Sequence, residues 1–441
     1  MRILLIQSYL GRKEPPVAPL GLAVIAANLA GQTVKIFDPN IQKDPLTASR
    51  EIIYSFQPDL IGISLRNIDT TKYSDIFLYY KHFVKYLQFI ACHSNGAVIA
   101  VGGSGFSLCP RQIMSDNPAI DYGFYLEADN SFPRFVECGL QPEGIRGIYF
   151  RKAGEVVHSG AAEPADDNVI PGPAWDLVDL KPYLPYQHLS SIGVESKRGC
   201  AQKCIYCTYP LLNGSNIRLR DPETVVHEIK KLAEEYGVQR IFFTDPVFNL
   251  PLNYAESICR IIIDSSLNIS WSAYHHPEFF SKEYMELALD SGCSDFYFSP
   301  DAATDKGLKI LGKSVTVSGL NRCLDLIAAD IRVKASFNFF AAYPEAGCED
   351  YQAAKKFIAY AKSALKDRLT RYKFSFIRLE PGTPLAYLTC GKNVSPAFFL
   401  PKNMPSLRRL FYIKNKNRCL NFKLWLKFWL GILFGKRNVI P

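Results

Sequence analysis

The sequence predicts an α/β chain with two parallel-sheet domains, an open doubly wound sheet in residues 1–145 and a partial (β/α)6 barrel in residues 193–390. Short apolar runs alternate with helix-like stretches along both regions, which is the pattern of parallel strands joined by helices. A proline-rich stretch, residues 146–192, separates the two regions as a connector. Residues 391–441 are predicted to form a small, basic and aromatic helical segment.

The first region has the pattern of a Rossmann-like domain with five strands, at residues 2–7, 33–37, 60–64, 97–101 and 122–126. Helices are predicted among them at residues 19–30, 73–92 and 110–116. Ligands of a doubly wound sheet bind beyond the carboxyl ends of the strands, and glycines there let the backbone approach a ligand closely. The candidate binding residues at those ends are Ser64, Arg66, Asn67, Gly102, Gly103 and Glu127.

The most informative motif is a loop with three cysteines, Cys200, Cys204 and Cys207, spaced C-x3-C-x2-C. Three thiolates on one tight loop can face a single compact inorganic core. A [4Fe–4S] cluster normally takes four protein thiolates, so three leave one iron open for a small molecule. A zinc site would need a second cysteine pair or two histidines at finger spacing, and neither follows the loop.

The second region continues as βα units after a first strand near residue 192. Further strands are predicted at residues 240–244, 269–273, 292–298, 333–340 and 373–378, with helices at 223–236 and 282–291. Asp221 and Pro222 are typical of a helix start. Active residues of such barrels gather at the carboxyl ends of the strands. Those ends carry Asp245, Asn249, Asp301 and the two candidate catalytic residues Tyr274 and His276, the histidine having a polar loop end as its alternative role.

The cysteine loop and these βα units resemble the radical S-adenosylmethionine (SAM) superfamily over about 200 residues. The matching motifs are the cysteine spacing with Tyr206 before the last cysteine, the D-x-x-F-N run at 245–249, the S-G-C run at 291–293 and the P-G-T-P-L run at 381–385. The resemblance implies a [4Fe–4S] cluster on the three cysteines, SAM chelated by the open iron, and a 5′-deoxyadenosyl radical. It implies cofactor contacts for Tyr206, Asp245, Asn249 and Asp301, the last replacing a glutamate of the family pattern.

The first domain resembles the cobalamin-binding domain that precedes one large class of radical SAM enzymes. The resemblance rests on residues 19–22, 58–64 and 101–103, and a flavodoxin-like domain without a cofactor is the alternative. The loop after the first strand lacks the Asp-x-His-x-x-Gly motif, so cobalamin is expected to bind without a protein histidine ligand. Arg66 is expected beside or under the corrin, where a cation keeps the lower face of cobalt open. A surface salt bridge is its alternative role.

The positive charge of the chain is concentrated at its end. After Glu380 there are eleven Lys and Arg and no Asp or Glu. Residues 420–437 place aromatic and aliphatic side chains at helical spacing with lysines on another face, which predicts an interfacial helix at a membrane. A C-terminal helix packed on the barrel is the alternative. No nucleic acid partner is expected, because no nucleic-acid-binding module accompanies the basic segment.

The remaining composition predicts a cytoplasmic protein, with peripheral contact at the inner face of the membrane through that segment. No secretory signal and no run of 18 apolar residues occur, so no transmembrane helix is expected. The nine cysteines outside the loop are scattered, which fits a reducing compartment rather than disulfide bonds.

The resemblance implies a cobalamin-dependent radical SAM C-methyltransferase that acts through the 5′-deoxyadenosyl radical and methylcobalamin. Its substrate is expected to be a small molecule, with a lipid or isoprenoid as the first choice, and its reductant a ferredoxin or flavodoxin. Two alternatives stay open: a cyclase, oxidase or rearrangement enzyme with the same cofactors, and an inactive iron–sulfur scaffold at the membrane. A methylthiotransferase is disfavoured, since Cys92, Cys109 and Cys138 lie too far apart for a second cluster.

Overall fold

The computed structural model describes residues 1–162 and 172–414, so part of the connector and the whole of segment 420–437 lie outside the described residues. The strands of the first domain are β1 (Arg2–Gln7), β2 (Thr33–Phe37), β3 (Leu60–Ser64), β4 (Val98–Gly102), β5 (Tyr122–Phe124), β6 (Ile148–Lys152) and β7 (Glu155–His158). Its helices are α1 (Leu20–Ala27), α2 (Pro45–Phe56), α3 (Tyr79–His93), α4 (Ser104–Leu108), α5 (Pro110–Asp116) and α6 (Ser131–Glu137).

These strands form one sheet in the order β2-β1-β3-β4-β5-β6-β7. The first five are parallel, and the chain reverses direction across the sheet between β1 and β3, which is the place where doubly wound sheets bind ligands. Strands β6 and β7 add an antiparallel hairpin at the β5 edge. Residues 148–158, which the sequence assigned to the connector, therefore extend this sheet.

The alternation of side chains along β1 explains the two helical layers. Leu4 and Ile6 belong to the core that includes α2 and α3, whereas Ile3 and Leu5 belong to the core that includes α1 and α6. Successive side chains of a strand point to opposite faces, so an apolar run such as ILLI at residues 3–6 is buried on both.

The second domain is the predicted partial barrel. Its strands are β8 (Gly193–Val194), β9 (Lys197–Arg198), β10 (Arg218–Leu219), β11 (Arg240–Phe243), β12 (Ser270–His275), β13 (Cys293–Asp301), β14 (Ala335–Ala342), β15 (Leu369–Arg378) and β16 (Phe411–Tyr412). Its helices are α7 (Tyr209–Asn213), α8 (Pro222–Tyr236), α9 (Leu252–Asp264), α10 (Lys282–Asp290), α11 (Asp305–Ile310), α12 (Val317–Ala329), α13 (Cys348–Leu365), α14 (Pro384–Cys390) and α15 (Met404–Arg409).

Six parallel strands follow the order β8-β11-β12-β13-β14-β15, and β16 pairs antiparallel with β15. In the described part of the chain, β8 and β16 are free edges of this sheet, so the barrel is open as the fold class predicts. Strands β9 and β10 form a separate two-stranded ribbon beside the cysteine loop. Asp221 caps α8 by accepting a hydrogen bond from the Thr224 amide at 2.8 Å, as the sequence predicts.

The long helix predicted at residues 73–92 begins only at Tyr79. Residues 73–75 instead form a short 3-10 turn, because Tyr73 is drawn into a tertiary contact. Its ring lies 5.3 Å from the rings of Phe376 and Phe411 on the edge of the second sheet. Tertiary packing overrides the helical pattern here, and the turn joins the two domains.

Buried ion pairs also join the domains. Asp129, beyond β5, accepts two hydrogen bonds from the Arg198 guanidinium at 2.9 and 3.1 Å. Asp69, beyond β3, is 3.0 Å from Arg378 at the end of β15. The carboxyl ends of the first sheet therefore face the cysteine loop and the mouth of the barrel. Within the described residues, every helix is too short or too polar to cross a bilayer.

Candidate functional site

The cysteine loop follows β9 and is held in place by backbone hydrogen bonds to three other segments. The amide of Cys200 donates to the carbonyl of Gly214 at 3.1 Å, and the amide of Ile205 donates to the carbonyl of Leu311 at 3.0 Å. The amide of Leu385 donates to the carbonyl of Ile205 at 2.8 Å. The loop is thus positioned by both its own ribbon and two distant parts of the barrel.

The three thiols influence one another electrostatically. Burial raises the pKa of each thiol, and the neighbouring cysteines help to raise the pKa of Cys207 to about 11. The Lys313 ammonium acts in the opposite direction on all three. Within the described residues, no three His, Cys, Asp or Glu side chains converge as ligands of a single metal ion would. A cubane cluster does not require this, since each thiolate binds a different iron.

Tyr206 connects the cysteine loop to the end of β13. Its hydroxyl donates to a carboxylate oxygen of Asp301, and burial, followed by the charge of Asp301, raises its pKa far above the usual range. The same Asp301 oxygen lies 2.6 Å from the ammonium of Lys313, which also donates to the carbonyl of Ser299 at 2.7 Å. The structure brings the predicted Tyr206 and Asp301 together beside the three thiols.

Lys313 is a residue of the candidate site that the sequence did not indicate. It follows α11 as a single lysine without a motif, and only the fold carries its side chain to Asp301. The one local signal is Gly312, which has a φ of +71° and lies against the backbone of Lys203, within the cysteine loop. A residue with a Cβ would collide there.

Asp245, at the end of β11, is engaged by the protein itself. One oxygen accepts hydrogen bonds from the amides of Ser196 and Lys197 at 2.9 and 3.3 Å, and the other accepts from the Ser196 hydroxyl. Burial raises the pKa of this carboxyl, and Lys197 opposes the rise from 4.0 Å away. The structure therefore places Asp245 as the support of the segment that leads into the cysteine loop.

Asn249 fixes the turn at the end of β12. Its amide nitrogen donates to the carbonyls of His276 and Phe279 at 3.0 and 3.1 Å, and its oxygen accepts from the His276 amide at 2.7 Å. The side chain is fully buried. Like Asp245, it holds the barrel mouth in shape.

His276 is hydrogen-bonded towards the cysteine loop. Its Nδ1 accepts from the Glu278 amide at 3.3 Å, which leaves Nε2 to donate to the Ser314 hydroxyl at 3.0 Å. Ser314 donates in turn to Gln202, between the first two cysteines. Burial lowers the pKa of His276 to about 4. The imidazole is therefore neutral at physiological pH and acts as a donor that positions the loop.

The neighbouring residues Tyr274 and His275 point in opposite directions. His275 is 3 % exposed within an aromatic core, and burial lowers its pKa to about 3. Tyr274 is 37 % exposed, and its ring contacts those of Phe242 and Tyr297 at 6.1 and 5.7 Å. Its phenol belongs to the inner face of the barrel, where a substrate can reach it.

A cavity of about 280 Å³ lies beyond the ends of β3, β4 and β5 of the first domain, and Glu195, Arg198 and Asn213 of the second domain also line it. Glycines form part of its wall: a Cβ at Gly62 would lie 2.9 Å from the Leu5 side chain, and one at Gly103, where φ is +97°, would lie 2.7 Å from the Leu65 carbonyl. No histidine lines the cavity among the described residues. The predicted residues on its wall are Ser64, Gly102, Gly103 and Glu127.

A second crevice, of about 170 Å³, lies between the domains. Arg66 and Asn67 border it from the first sheet, and Thr208 and Leu212 border it from the end of the cysteine loop. Protein surrounding Arg66 lowers its pKa, although its guanidinium remains open to the crevice. In the described residues Arg66 has no carboxylate at ion-pair distance, which leaves this cation facing the space between the domains.

Glu127 lines the cavity wall and also joins the domains. Its carboxylate accepts hydrogen bonds from the Arg218 guanidinium, one of them at 2.9 Å, and lies 3.6 Å from Arg198. Both arginines belong to the ribbon beside the cysteine loop. Any group in the cavity is thus close to the segment that carries the cysteines.

The donor set fits the implied cofactors. Three thiols with a nearby ammonium suit a negatively charged iron–sulfur cluster. The glycine wall of the first domain lets the backbone approach a large ring and its side groups, and the cation at Arg66 cannot ligate cobalt. The residues present therefore match a cluster in the second domain and a corrin without a histidine ligand in the first.

Comparison with known proteins agrees with this division. The Radical SAM superfamily matches residues 194–345, and the B12 binding domain family matches residues 9–136. An uncharacterized methyltransferase of Pyrococcus horikoshii is 28 % identical over 402 residues, covering 88 % of this chain and 81 % of that protein.

Solved structures share the fold. The radical SAM methyltransferase TsrM of Kitasatospora setae, solved with tryptophan substrate and a SAM analogue, aligns with a TM-score of 0.77 at 22 % identity, over 88 % of this chain and 75 % of TsrM. The cobalamin-dependent radical enzyme OxsB aligns with a TM-score of 0.73 at 16 % identity, over 98 % of this chain and 66 % of OxsB. The two matched families identify a [4Fe–4S] cluster, SAM and cobalamin as the cofactors.

Proposed function

Because this chain is an enzyme with a B12-binding domain in front of a radical SAM domain, we propose that it is a C-methyltransferase acting on an unactivated carbon of a small molecule. When bound, the cluster and SAM supply a 5′-deoxyadenosyl radical, and cobalamin supplies the methyl group. The observation that carries the proposal is the crevice that Arg66 shares with the end of the cysteine loop, since methyl transfer requires both cofactors to reach one substrate carbon.

The residues of the chain have distinct roles in this proposal. Cys200, Cys204 and Cys207 hold the cluster. Asp301 accepts hydrogen bonds from the Tyr206 hydroxyl and the Lys313 ammonium, and so fixes the cysteine loop against the end of β13, beside the place where SAM would bind.

The cobalamin side and the exclusion of water depend on other groups. Arg66 borders the crevice on the side that would hold cobalamin, and its guanidinium could not serve as a ligand of the cobalt. The buried pair of Asp129 and Arg198 keeps the two domains together, and this closure would limit the access of water to the space between them.

The substrate is proposed as a small molecule. The expectation of a lipid or isoprenoid skeleton rests on the segment 420–437, which lies outside the described residues. The expectation that this segment contacts a membrane likewise remains a proposal, as does the need for a ferredoxin or flavodoxin as reductant.

The proposal is tested by anaerobic turnover with methyl-labelled SAM, cobalamin and dithionite. We expect S-adenosylhomocysteine and 5′-deoxyadenosine to form, with label on cobalamin and then in a carbon-bound methyl group. Cys204→Ala should abolish deoxyadenosine formation, whereas Cys92→Ala, an exposed cysteine outside the loop, should leave it unchanged. Deoxyadenosine without any transfer of label would contradict methylation and indicate cyclisation, rearrangement or oxidation. Absence of both nucleosides would indicate the inactive scaffold.

A further inference from the structure

Strand β15 places two cations on the inner face of the barrel. The rings of Tyr372 and Phe374 face outward against α13, and the Tyr372 ring lies 4.3 Å from the Lys362 ammonium of that helix. Because side chains alternate along a strand, Arg371 and Lys373 point to the opposite, inner face. They form part of the wall around the space that the barrel encloses.

Arg371 lies in the same row of the sheet as Tyr274. Arg371 is in register with Ser336 on β14, which is in register with Tyr297 on β13 and, through it, with Tyr274 on β12. Burial raises the pKa of the Tyr274 phenol, and the charge of Arg371 opposes that rise, so the two side chains are within electrostatic reach.

Lys373 lies one row closer to the cysteine loop. It is in register with Asn338, whose amide donates to the Ser299 hydroxyl at 3.2 Å. The Ser299 carbonyl accepts from Lys313, the lysine beside the three thiols. A continuous polar surface therefore runs across the inner face from Lys373 to the cysteine loop.

A third cation comes from the first domain. Tyr73 packs against the edge of the second sheet at 5.3 Å from Phe376, and this contact holds Lys72 near β15. The pKa of Lys373 falls to about 8 because of burial and the charges of Lys72 and Arg371. Lys72 and Arg371 are therefore within electrostatic reach of Lys373.

These cations differ from the buried cations of the chain, since Lys72 and Arg371 are exposed and Lys373 is half-buried. Lys313 has Asp301 at 2.6 Å, and Arg378 has Asp69 at 3.0 Å. Among the residues that the structure describes, Lys72, Arg371 and Lys373 have no carboxylate at ion-pair distance. Like charges close together repel one another, and an anion bound among them would remove that repulsion.

We propose that Lys72, Arg371 and Lys373 bind a phosphate or diphosphate group of the substrate. The proposal rests on the proposed function in one respect, that the ligand of this inner face is the molecule to be methylated. Three cations favour a multiply charged oxygen group, and the guanidinium of Arg371 can donate two parallel hydrogen bonds to it. With the anion held on β15, the rest of the substrate extends along the polar surface towards the cysteine loop.

The test uses inorganic pyrophosphate and phosphate as probes on the full, cobalamin-loaded chain. Lys373 is acylated at constant ionic strength, and its modification is read by peptide mass spectrometry. We expect pyrophosphate to slow acylation of Lys373 at least about ten-fold, and the half-protecting concentration to rise about ten-fold in Arg371→Gln and in Lys72→Gln, since hydrogen bonds to charged groups contribute on this scale. Lys362→Gln, which removes a charge from the outer side of β15, should leave protection unchanged.

The outcomes separate the anion site from the proposed function. Protection that acetate reproduces at equal concentration, or that Arg371→Gln leaves intact, would overturn the anion site. Loss of protection in a variant counts only where that variant still retains cobalamin and folds. SAM cleavage and label transfer without any protection of Lys373 would overturn the anion site alone, and protection without SAM cleavage would overturn the proposed function alone.

Discussion

At the scale of single residues, Asp301 connects two side chains that are far apart in the sequence, Tyr206 and Lys313. Its backbone is left-handed, with a φ of +68°, a conformation that aspartate adopts more readily than most residues. This turn at the end of β13 aims the carboxylate at both Tyr206 and Lys313. One buried acid thereby ties the cysteine loop to the strand end and neutralises a buried lysine.

Removal of Lys313 should therefore destabilise the protein through Asp301. Lys313→Met leaves a carboxylate that is 6 % exposed without its cation, and breaking a buried pair in this way costs about 3 kcal/mol or more. Denaturant unfolding of the single variants and of Lys313→Met/Asp301→Asn measures this. The double variant should recover part of the loss, and Lys306→Met, an exposed lysine nearby, should change little. Additive effects of the two single changes would contradict direct coupling.

Glu380 should make the stability of the fold depend on pH. Burial raises the pKa of the Glu380 carboxyl from 4.5 to about 7. Arg378, 3.3 Å away, lowers this pKa, but the charge of Asp69, which forms an ion pair with the same arginine, raises it. A carboxyl with a higher pKa in the folded chain binds its proton more tightly there. The free energy of unfolding should consequently fall as pH rises from about 4.5 to about 7.

The measurement compares urea midpoints at about pH 5 and about pH 8 for the wild type and Glu380→Gln. The variant should gain stability relative to the wild type as pH rises through this window. Glu137→Gln removes an exposed carboxyl and serves as the control. A constant difference between wild type and Glu380→Gln across the window would show that Glu380 is not protonated in the folded state.

At the scale of elements, strands could be predicted from sequence better than the contacts that end them. The apolar runs of β1 and β3 are buried on both faces, and their predicted bounds agree with the structure. The sequence predicts a connector where the structure has the hairpin of β6 and β7. This hairpin depends on pairing with β5, a strand of only three residues, and such a contact leaves no local pattern in the sequence. Lys313 could not be predicted, because its role depends on a tertiary contact with Asp301 and not on a local pattern.

The turn after β4 should be intolerant of any side chain. Gly103→Ala combines a φ of +97° with a Cβ placed 2.7 Å from the Leu65 carbonyl, and the backbone there is anchored in the sheet. We expect the variant to lose stability and most of its bound cobalamin, measured by absorbance after size-exclusion chromatography. Gly31 has a φ of +74°, and a Cβ added there would lie in open space. Gly31→Ala therefore measures only the cost of the left-handed backbone conformation, about 1 kcal/mol, and should retain cobalamin. Equal losses of stability and of cobalamin in the two variants would show that the close packing of Gly103 against the Leu65 carbonyl has no role.

At the scale of the whole molecule, the two domains meet through charged groups placed next to the cofactor-binding segments. Arg198 lies two residues before Cys200 and pairs with Asp129, which borders the cavity of the first domain. Because these two residues are paired, a change in the distance between the domains would shift both the cysteine loop and the wall of the cavity. This coupling suits a reaction that needs both cofactors at one carbon atom.

Asp129→Asn should uncouple the two cofactors while leaving each of them bound. The change removes one of the carboxylates that Arg198 meets, at 2.9 Å in a buried setting, while Glu195 at 2.8 Å remains, so the loss of domain docking is about 2 kcal/mol, the scale of hydrogen bonds between charged groups. Iron content and cobalamin content should stay near those of the wild type, because asparagine keeps the size of the side chain at the cavity border and the three cysteines are unaltered. Label transfer from SAM to a carbon atom should fall at least ten-fold, whereas deoxyadenosine formation should fall less. Lys402→Gln removes an exposed partner of Asp116 at 4.0 Å and should leave all four readouts unchanged, since exposed pairs contribute little. Parallel loss of iron and of methyl transfer in Asp129→Asn would instead show that Asp129 supports the cysteine loop alone.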